Sequence, residues 1–177
     1  MTKLLIVVDM QNDFINGSLG SEAAQKIVPN VAKKIADWED AIIVTMDTHC
    51  THKYMDTNEG RHLPIMHCIY ETEGWEIHPD IEEQLEKRDP QTCTWGKNYF
   101  GDYHLGEFVK CQEFDYIEIC GLCTDICVIS NALILKSYLP EATIIVDAAC
   151  CAGTSEHAHR SALEVMKNCH IDIINED

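Results

Sequence analysis

The sequence predicts a single three-layer α/β domain, a parallel sheet with helices on both faces. Two observations carry that prediction. Five short runs, Leu4–Val8, Ala41–Thr45, Tyr116–Cys120, Thr143–Val146 and His170–Ile174, are rich in Ile and Val. Their apolar residues are mostly continuous rather than alternating, as in strands covered on both faces. Segments with helical spacing separate them, and strand alternating with helix implies parallel strands joined by right-handed crossovers. With 177 residues, 46% of them apolar, residues 1–177 suit one domain around one large core.

Taken in order, Leu4–Val8 is the opening strand. Pro29 is expected in the first turn of a helix reaching Trp38, with Val31, Ala32, Ile35 and Trp38 on one face. Ala41–Thr45 is the second strand. From Met46 to about Trp75 no periodicity is visible, and so long a structureless stretch in a compact domain reads as a functional loop. Pro79 heads a helix over Asp80–Lys87 with Ile81 and Leu85 four apart. After the strand Tyr116–Cys120 comes a helix over Cys127–Tyr138. After Thr143–Val146 comes another over Glu156–Asn168, expected to bury Ala158, Ala162, Val165 and Cys169.

Charge and composition narrow the function. Thirteen Lys and Arg stand against 30 Asp and Glu, a net charge of −17, and so acidic a surface repels phosphate backbones, which argues against nucleic acid. No run approaches the roughly 18 apolar residues of a membrane span. Leu4–Val8 is followed at once by Asp9, Gln11 and Asp13, unlike an export signal. Ten cysteines in such a chain read as reduced thiols of a cytoplasmic protein, several of them packed in strands, rather than as a disulfide framework. Small molecules are the expected partners.

In open parallel sheets ligands bind outside the carboxyl ends of the strands. That rule selects Asp9 after the first strand, Asp47 and His49 after the second, and Gly121–Cys127 after the third. In the last of these, Thr124 and Asp125 are placed to cap a helix whose first turn holds Cys127. The partial positive charge there is expected to lower the cysteine pKa, and nearby N–H groups to hold an oxyanion. A packed core thiol is the alternative for Cys127, and a redox or zinc pair the alternative for Cys120 and Cys123. Asp9, partly desolvated, suits a proton acceptor with a raised pKa, or else it is a turn aspartate. Lys97, among aromatics and glycines in Trp95-Gly96-Lys97-Asn98-Tyr99-Phe100-Gly101, suits stabilising a thiolate and orienting Asp9, or else it is an ordinary surface lysine.

The histidine-rich loop forms a second constellation. Asp47 and His49 lie two apart on an extended segment, so both side chains face one way. His67 follows eighteen residues later with Glu59 between. Two imidazoles with a carboxylate suit Zn²⁺, Mn²⁺ or Fe²⁺ with open positions for water and substrate. His52 and His62 read as solvated loop residues.

Together these segments resemble the isochorismatase-like cysteine hydrolases, and within them the nicotinamidases. Val7-Val8-Asp9-Met10-Gln11-Asn12-Asp13-Phe14 is similar to the opening motif, whose aspartate is the base. Gly121-Leu122-Cys123-Thr124-Asp125-Ile126-Cys127-Val128 is similar to the nucleophile motif, with Cys127 as nucleophile. Lys97 falls at the catalytic lysine, and Asp47-Thr48-His49 and Leu63-Pro64-Ile65-Met66-His67-Cys68 at the metal-ligand segments. Ile77-His78-Pro79-Asp80 and Asp147-Ala148-Ala149-Cys150 also look familial.

The resemblance implies a Rossmann-like, six-stranded parallel sheet, with the sixth strand near Thr92–Trp95. It implies a cis peptide at Leu122–Cys123, aiming the N–H groups of Cys123 and Cys127 at the oxyanion. It further implies a divalent metal, zinc foremost, on Asp47, His49, His67 and Glu59. Phe14 and Phe100 would stack on the ring of a small amide substrate. The family usually forms dimers or larger assemblies. Implied chemistry is hydrolysis of nicotinamide to nicotinate and ammonia through a thioester, with an isochorismatase-like hydrolase of another small amide or an enol ether as the alternative. Two departures stand out: Leu63-Pro64 replaces an aromatic segment common before the third ligand, and Cys123 replaces a small alanine-like residue.

Overall fold

A computed structural model of the chain describes residues 2–88 and 92–176. Six parallel strands form one sheet: β1 (Lys3–Val8), β2 (Ala41–Asp47), β3 (Thr92–Lys97), β4 (Tyr116–Leu122), β5 (Thr143–Ala152) and β6 (Asp172–Ile174). Their spatial order is β3-β2-β1-β4-β5-β6. From β1 the chain steps outward through β2 to β3, then returns to β4 on the other side of β1 and steps out to β6. With right-handed crossovers, that reversal puts the helices before β3 on one face and those after it on the other.

On the first face, α2 (Glu22–Asp37) packs against β4, β5 and α4 (Pro79–Glu86). On the second, α6 (Ile129–Tyr138) packs between α5 (Tyr103–Cys111) and α7 (Glu156–Asn168). The core is the sheet itself: Leu4, Leu5, Ile6, Val7 and Val8 of β1 have no exposed surface. No helix among the described residues is long and apolar enough to cross a membrane. None of the ten cysteines is paired in a disulfide.

Several elements differ from expectation for identifiable reasons. Pro29 lies inside α2 rather than at its start, with its ring in solvent. The helix begins where the Ser21 side chain accepts the Ala24 N–H, and its apolar stripe, Ala24, Ile27, Val28, Val31 and Ile35, runs straight across the proline. The stretch from Met46 to Trp75 holds a 3₁₀ turn, Tyr54–Asp56, and the short helix α3 (Asn58–His62), capped by Thr57. Two further helices, α1 (Asn12–Ile15) and α5, carry no clear signal of their own. In α7 the buried face is Ala162, Leu163 and Met166, whereas Val165 and Cys169 are exposed and Ala158 is half-buried. The sixth strand is Thr92–Lys97, at the sheet edge with most of its side chains outside the core.

Strand register aligns the site. Val8 pairs with Thr45 and with Gly121, and Asp47 with Lys97, so the carboxyl ends of β1, β2, β3 and β4 stand side by side. Gly121 is required there. Its φ is +120°, and a Cβ would lie 2.1 Å from the Val8 carbonyl oxygen.

Candidate active site

Asp9 follows β1 in a left-handed conformation, φ +48°, and has no exposed surface. Lys97, the last residue of β3, places Nζ 2.7 Å from Asp9 Oδ2, 3.6 Å from Cys127 Sγ and 3.8 Å from Asp47 Oδ1. Cys127 lies in a single π-helical turn, Thr124–Val128, that leads into α6. The Leu122–Cys123 peptide before that turn is cis. The thiol, acid and amine named from the sequence therefore meet.

The electrostatics correct one expectation. Burial, then the charge of Asp9, pushes the Cys127 thiol well above its ordinary value, with Lys97 opposing, so the helix start does not make it a standing thiolate. Burial also raises Asp9, against the pull of Lys97 and with Asp47 adding to the rise. Burial alone would lower Lys97, but Asp9, Cys127 and Asp47 hold its ammonium above its usual range. The arrangement is a neutral thiol beside a buried carboxylate of raised proton affinity, suited to proton transfer on demand.

Thr124 and Asp125 also act differently from expectation. They do not cap the helix. The Thr124 hydroxyl lies 2.7 Å from His159 Nδ1, and the Asp125 carboxylate accepts from the N–H and hydroxyl of Thr154 at 2.8 and 2.6 Å. They fasten the Cys127 turn to α7 and to the loop before it. Cys120 lies inside β4 with no exposed surface, packed in the core. Cys123 itself reaches the cavity, and burial pushes its thiol up to about 12.

Beside this group, Asp47, His49, Glu59 and His67 bring four donor atoms within 4.8 Å of one another. His49 Nε2 is 3.0 Å from Asp47 Oδ2 and 3.7 Å from Glu59 Oε1. His67 Nε2 is 3.5 and 3.4 Å from the same two oxygens. His67 Nδ1 faces the Ile65 carbonyl at 2.9 Å, which turns Nε2 inward. Burial would lower His67, but its hydrogen bonds to Asp47 and Glu59 drive it up to about 10. Two carboxylates and two inward Nε2 atoms within reach of one another form a donor set that fits a divalent transition metal. His52 and His62 are exposed, as expected.

Residues beyond those selected from sequence brace the cluster. The Gln11 side chain donates to the Asp47 and Trp75 carbonyls at 2.9 and 2.7 Å and accepts the Asp47 N–H at 2.8 Å. Asp13 Oδ2 accepts the Cys68 N–H at 2.7 Å, fixing the chain next to His67. Buried Tyr54 meets His49 and His67 edge-on, and its hydroxyl donates to the Leu63 carbonyl. Gln11 and Asp13 stand within the opening motif, and their polarity directly after a buried strand was the available signal. Tyr54 carried none.

Thiol and cluster share one cavity of about 1040 Å³. Phe14 lines it with its ring 5.5 Å from that of His67. Phe100 reaches it only from the rim, 47% exposed, beside Tyr99.

The chain matches the isochorismatase domain over residues 3–177 and belongs to that family. It is 27% identical to the nicotinamidase of Acinetobacter baylyi, over 90% of this chain and 87% of that one. The crystal structure of nicotinamidase/pyrazinamidase from Bacillus subtilis superposes with a TM-score of 0.86 at 25% identity, covering 98% of this chain and 99% of the other. The pyrazinamidase of Pyrococcus horikoshii in complex with zinc gives 0.79 at 26% identity, covering 98% and 99%.

Proposed function

We propose that this chain is a nicotinamidase, hydrolysing the carboxamide of nicotinamide to nicotinate and ammonia through a thioester on Cys127. The observation that carries the proposal is the position of Lys97 Nζ, 2.7 Å from Asp9 Oδ2 and 3.6 Å from Cys127 Sγ, with Cys127 lining the cavity that also holds the four metal-type donors. Asp9 takes the thiol proton while Lys97 holds the developing thiolate, and Sγ attacks the amide carbon. The N–H groups of Cys123 and Cys127 receive the oxyanion. Asp9 then gives its proton to the departing ammonia. A water that loses a proton to the same carboxylate cleaves the thioester, and the thiol returns.

Asp47, His49, Glu59 and His67 would hold a divalent ion, zinc foremost. Such an ion supplies Lewis-acid coordination that fits a pyridine nitrogen and orients the ring. Phe14 packs against that ring, and Phe100 closes the rim. The lining of the shared cavity, with Cys127 beside the metal-type donors, suits a small-molecule amide as partner.

The test is ammonia release from nicotinamide, pyrazinamide and aliphatic amides, with and without chelator. Release from nicotinamide is expected to vanish in Cys127→Ala and to fall by about 10²–10⁴ in Asp9→Asn, the range for loss of a general base. Ammonia release that survives Cys127→Ala would refute the thioester route, and turnover of an enol ether by that variant would instead place the chain with thiol-independent hydrolases.

A further inference from the structure

The two oxygens of the Asp9 carboxylate are held differently. Oδ1 accepts a hydrogen bond of 2.6 Å from the Thr45 hydroxyl, which in turn accepts the Asp9 N–H at 3.2 Å. The Thr45 carbonyl takes the same N–H at 3.1 Å. One residue of β2 therefore clamps both the backbone and the side chain of Asp9, and both residues have no exposed surface. Oδ2, by contrast, faces the Lys97 ammonium at 2.7 Å. That ammonium also reaches Cys127 Sγ at 3.6 Å, so Oδ2 and the sulfur share one cation.

We infer that Thr45 is a positioning residue for the reaction: its hydroxyl occupies Oδ1 and leaves Oδ2 as the oxygen that takes the Cys127 proton and later returns it. The inference rests on the amidase reading above. A carboxylate turns easily about its last torsion unless one oxygen is tied. Untied, it turns between its neighbours and presents no fixed lone pair to the sulfur. With Oδ1 tied, the S–H bond breaks and the Oδ2–H bond forms without rearrangement, while the Thr45 proton stays on Oγ1. No electrons change hands. The placement of the hydroxyl also calls for a role. Its neighbours in β2, Ile42, Ile43, Val44 and Met46, are apolar and buried, and a hydroxyl among them is unfavourable unless bonded. Its bonds all run to Asp9.

Thr45→Ser and Thr45→Ala both lose the methyl and differ in the hydroxyl alone. Thr45→Val restores the volume and shows whether any loss in the alanine variant is one of packing. Assayed with nicotinamide under saturating Zn²⁺, the serine variant is expected to stay within about threefold of the parent, and the alanine and valine variants to lose about 10- to 100-fold in kcat at unchanged KM. The rate at which iodoacetamide inactivates the enzyme reads proton removal from Cys127 without amide turnover, and it is expected to fall in parallel with kcat. Equal kcat in the serine and alanine variants, or a fall in kcat with alkylation unchanged, overturns the role of Thr45. Amide turnover at the parent rate in Cys127→Ala or Asp9→Asn overturns the amidase reading on which this one rests, so the two failures are told apart.

Discussion

Lys97 and Asp9 form a buried ion pair, with Nζ 2.7 Å from Oδ2 and neither side chain exposed. The same ammonium serves Asp47 and the Cys127 sulfur, so one cation balances two carboxylates and a thiol that must give up its proton. Lys97→Met keeps the length and removes the charge. Removing one partner of a buried pair costs about 3–5 kcal/mol, and urea titration at pH 7 should show that loss. Asp9, already raised by burial against the pull of Lys97, rises further in the variant. A carboxylate whose folded pKa lies above its unfolded value penalises the fold above that pKa and stops doing so once protonated. The stability deficit should therefore narrow as the pH falls through the raised pKa. A variant as stable as the parent at pH 7 would deny the pair its role in keeping Asp9 ionised.

The same shifts set the pH dependence of catalysis. The reacting form carries an ionised Asp9, a neutral Cys127 and a protonated Lys97. Burial raises Asp9, so the acid limb of kcat/KM should lie above the ordinary carboxylate value of 3.8, with activity lost as the pH falls through it. Cys127 and Lys97 are both held above their ordinary values, so no alkaline limb is expected near the usual thiol value of 9.0. The profile should rise once and stay flat well past neutrality under saturating Zn²⁺. A bell with its alkaline side near pH 7 would contradict this assignment of protons.

Legibility in the sequence followed burial. The strands β1, β2, β4 and β5 are covered on both faces and read as apolar runs. The edge strand β3, Thr-Cys-Thr-Trp-Gly-Lys, leaves most of its side chains outside the core and needed the family resemblance to be placed. Pro29 misdirected the start of α2 because a proline whose ring faces solvent inside a well-packed helix looks, in sequence, like one at a helix start. Ser21, three residues before Ala24, was the better signal. At the site, Asp9, Asp47, His49 and Cys127 follow from one rule about strand ends, and Lys97 from its odd company. Glu59 depends on the tertiary placement of α3, and Thr45 on which strand lies beside β1. Neither relation exists in local sequence. The expected acidic thiol failed because a helix start counts for less than full burial beside a carboxylate.

Metal binding can be divided among the four donors. Asp47 and His49 extend from a buried strand end, whereas Glu59 stands on the five-residue helix α3 with its side chain 18% exposed. Equilibrium dialysis with Zn²⁺ should give one ion per chain, lost in His49→Ala and His67→Ala. Glu59→Gln should weaken binding without abolishing it, because the amide oxygen remains a neutral donor. Chelator treatment should remove turnover of nicotinamide, and added Zn²⁺ should restore it. Full stoichiometry retained in both histidine variants would move the ion away from this cluster.

Far from the chemistry, Lys34 of α2 forms ion pairs with Glu118 of β4 and Asp147 of β5, all three largely buried. The Asp147 carboxylate also accepts the Ala149 N–H and the Asn175 side chain, and Glu118 accepts the Tyr116 hydroxyl. One ammonium thus joins the first helical layer to two central strands and, through Asp147, to the segment after β6. Burial would lower its pKa, but the two carboxylates raise it well above 10.5. A lysine raised in this way stabilises the fold fully below its unfolded pKa and loses that contribution only as the pH climbs through the folded one, so the effect is constant across pH 6–9. Lys34→Met should cost about 3–5 kcal/mol there, because it strands two buried carboxylates. In a chain of this size that lowers Tm by roughly 10 °C. Adding Glu118→Gln should recover part of the loss by relieving the stranded charge. A single variant that unfolds within 1 °C of the parent would reduce this triad to a solvated contact.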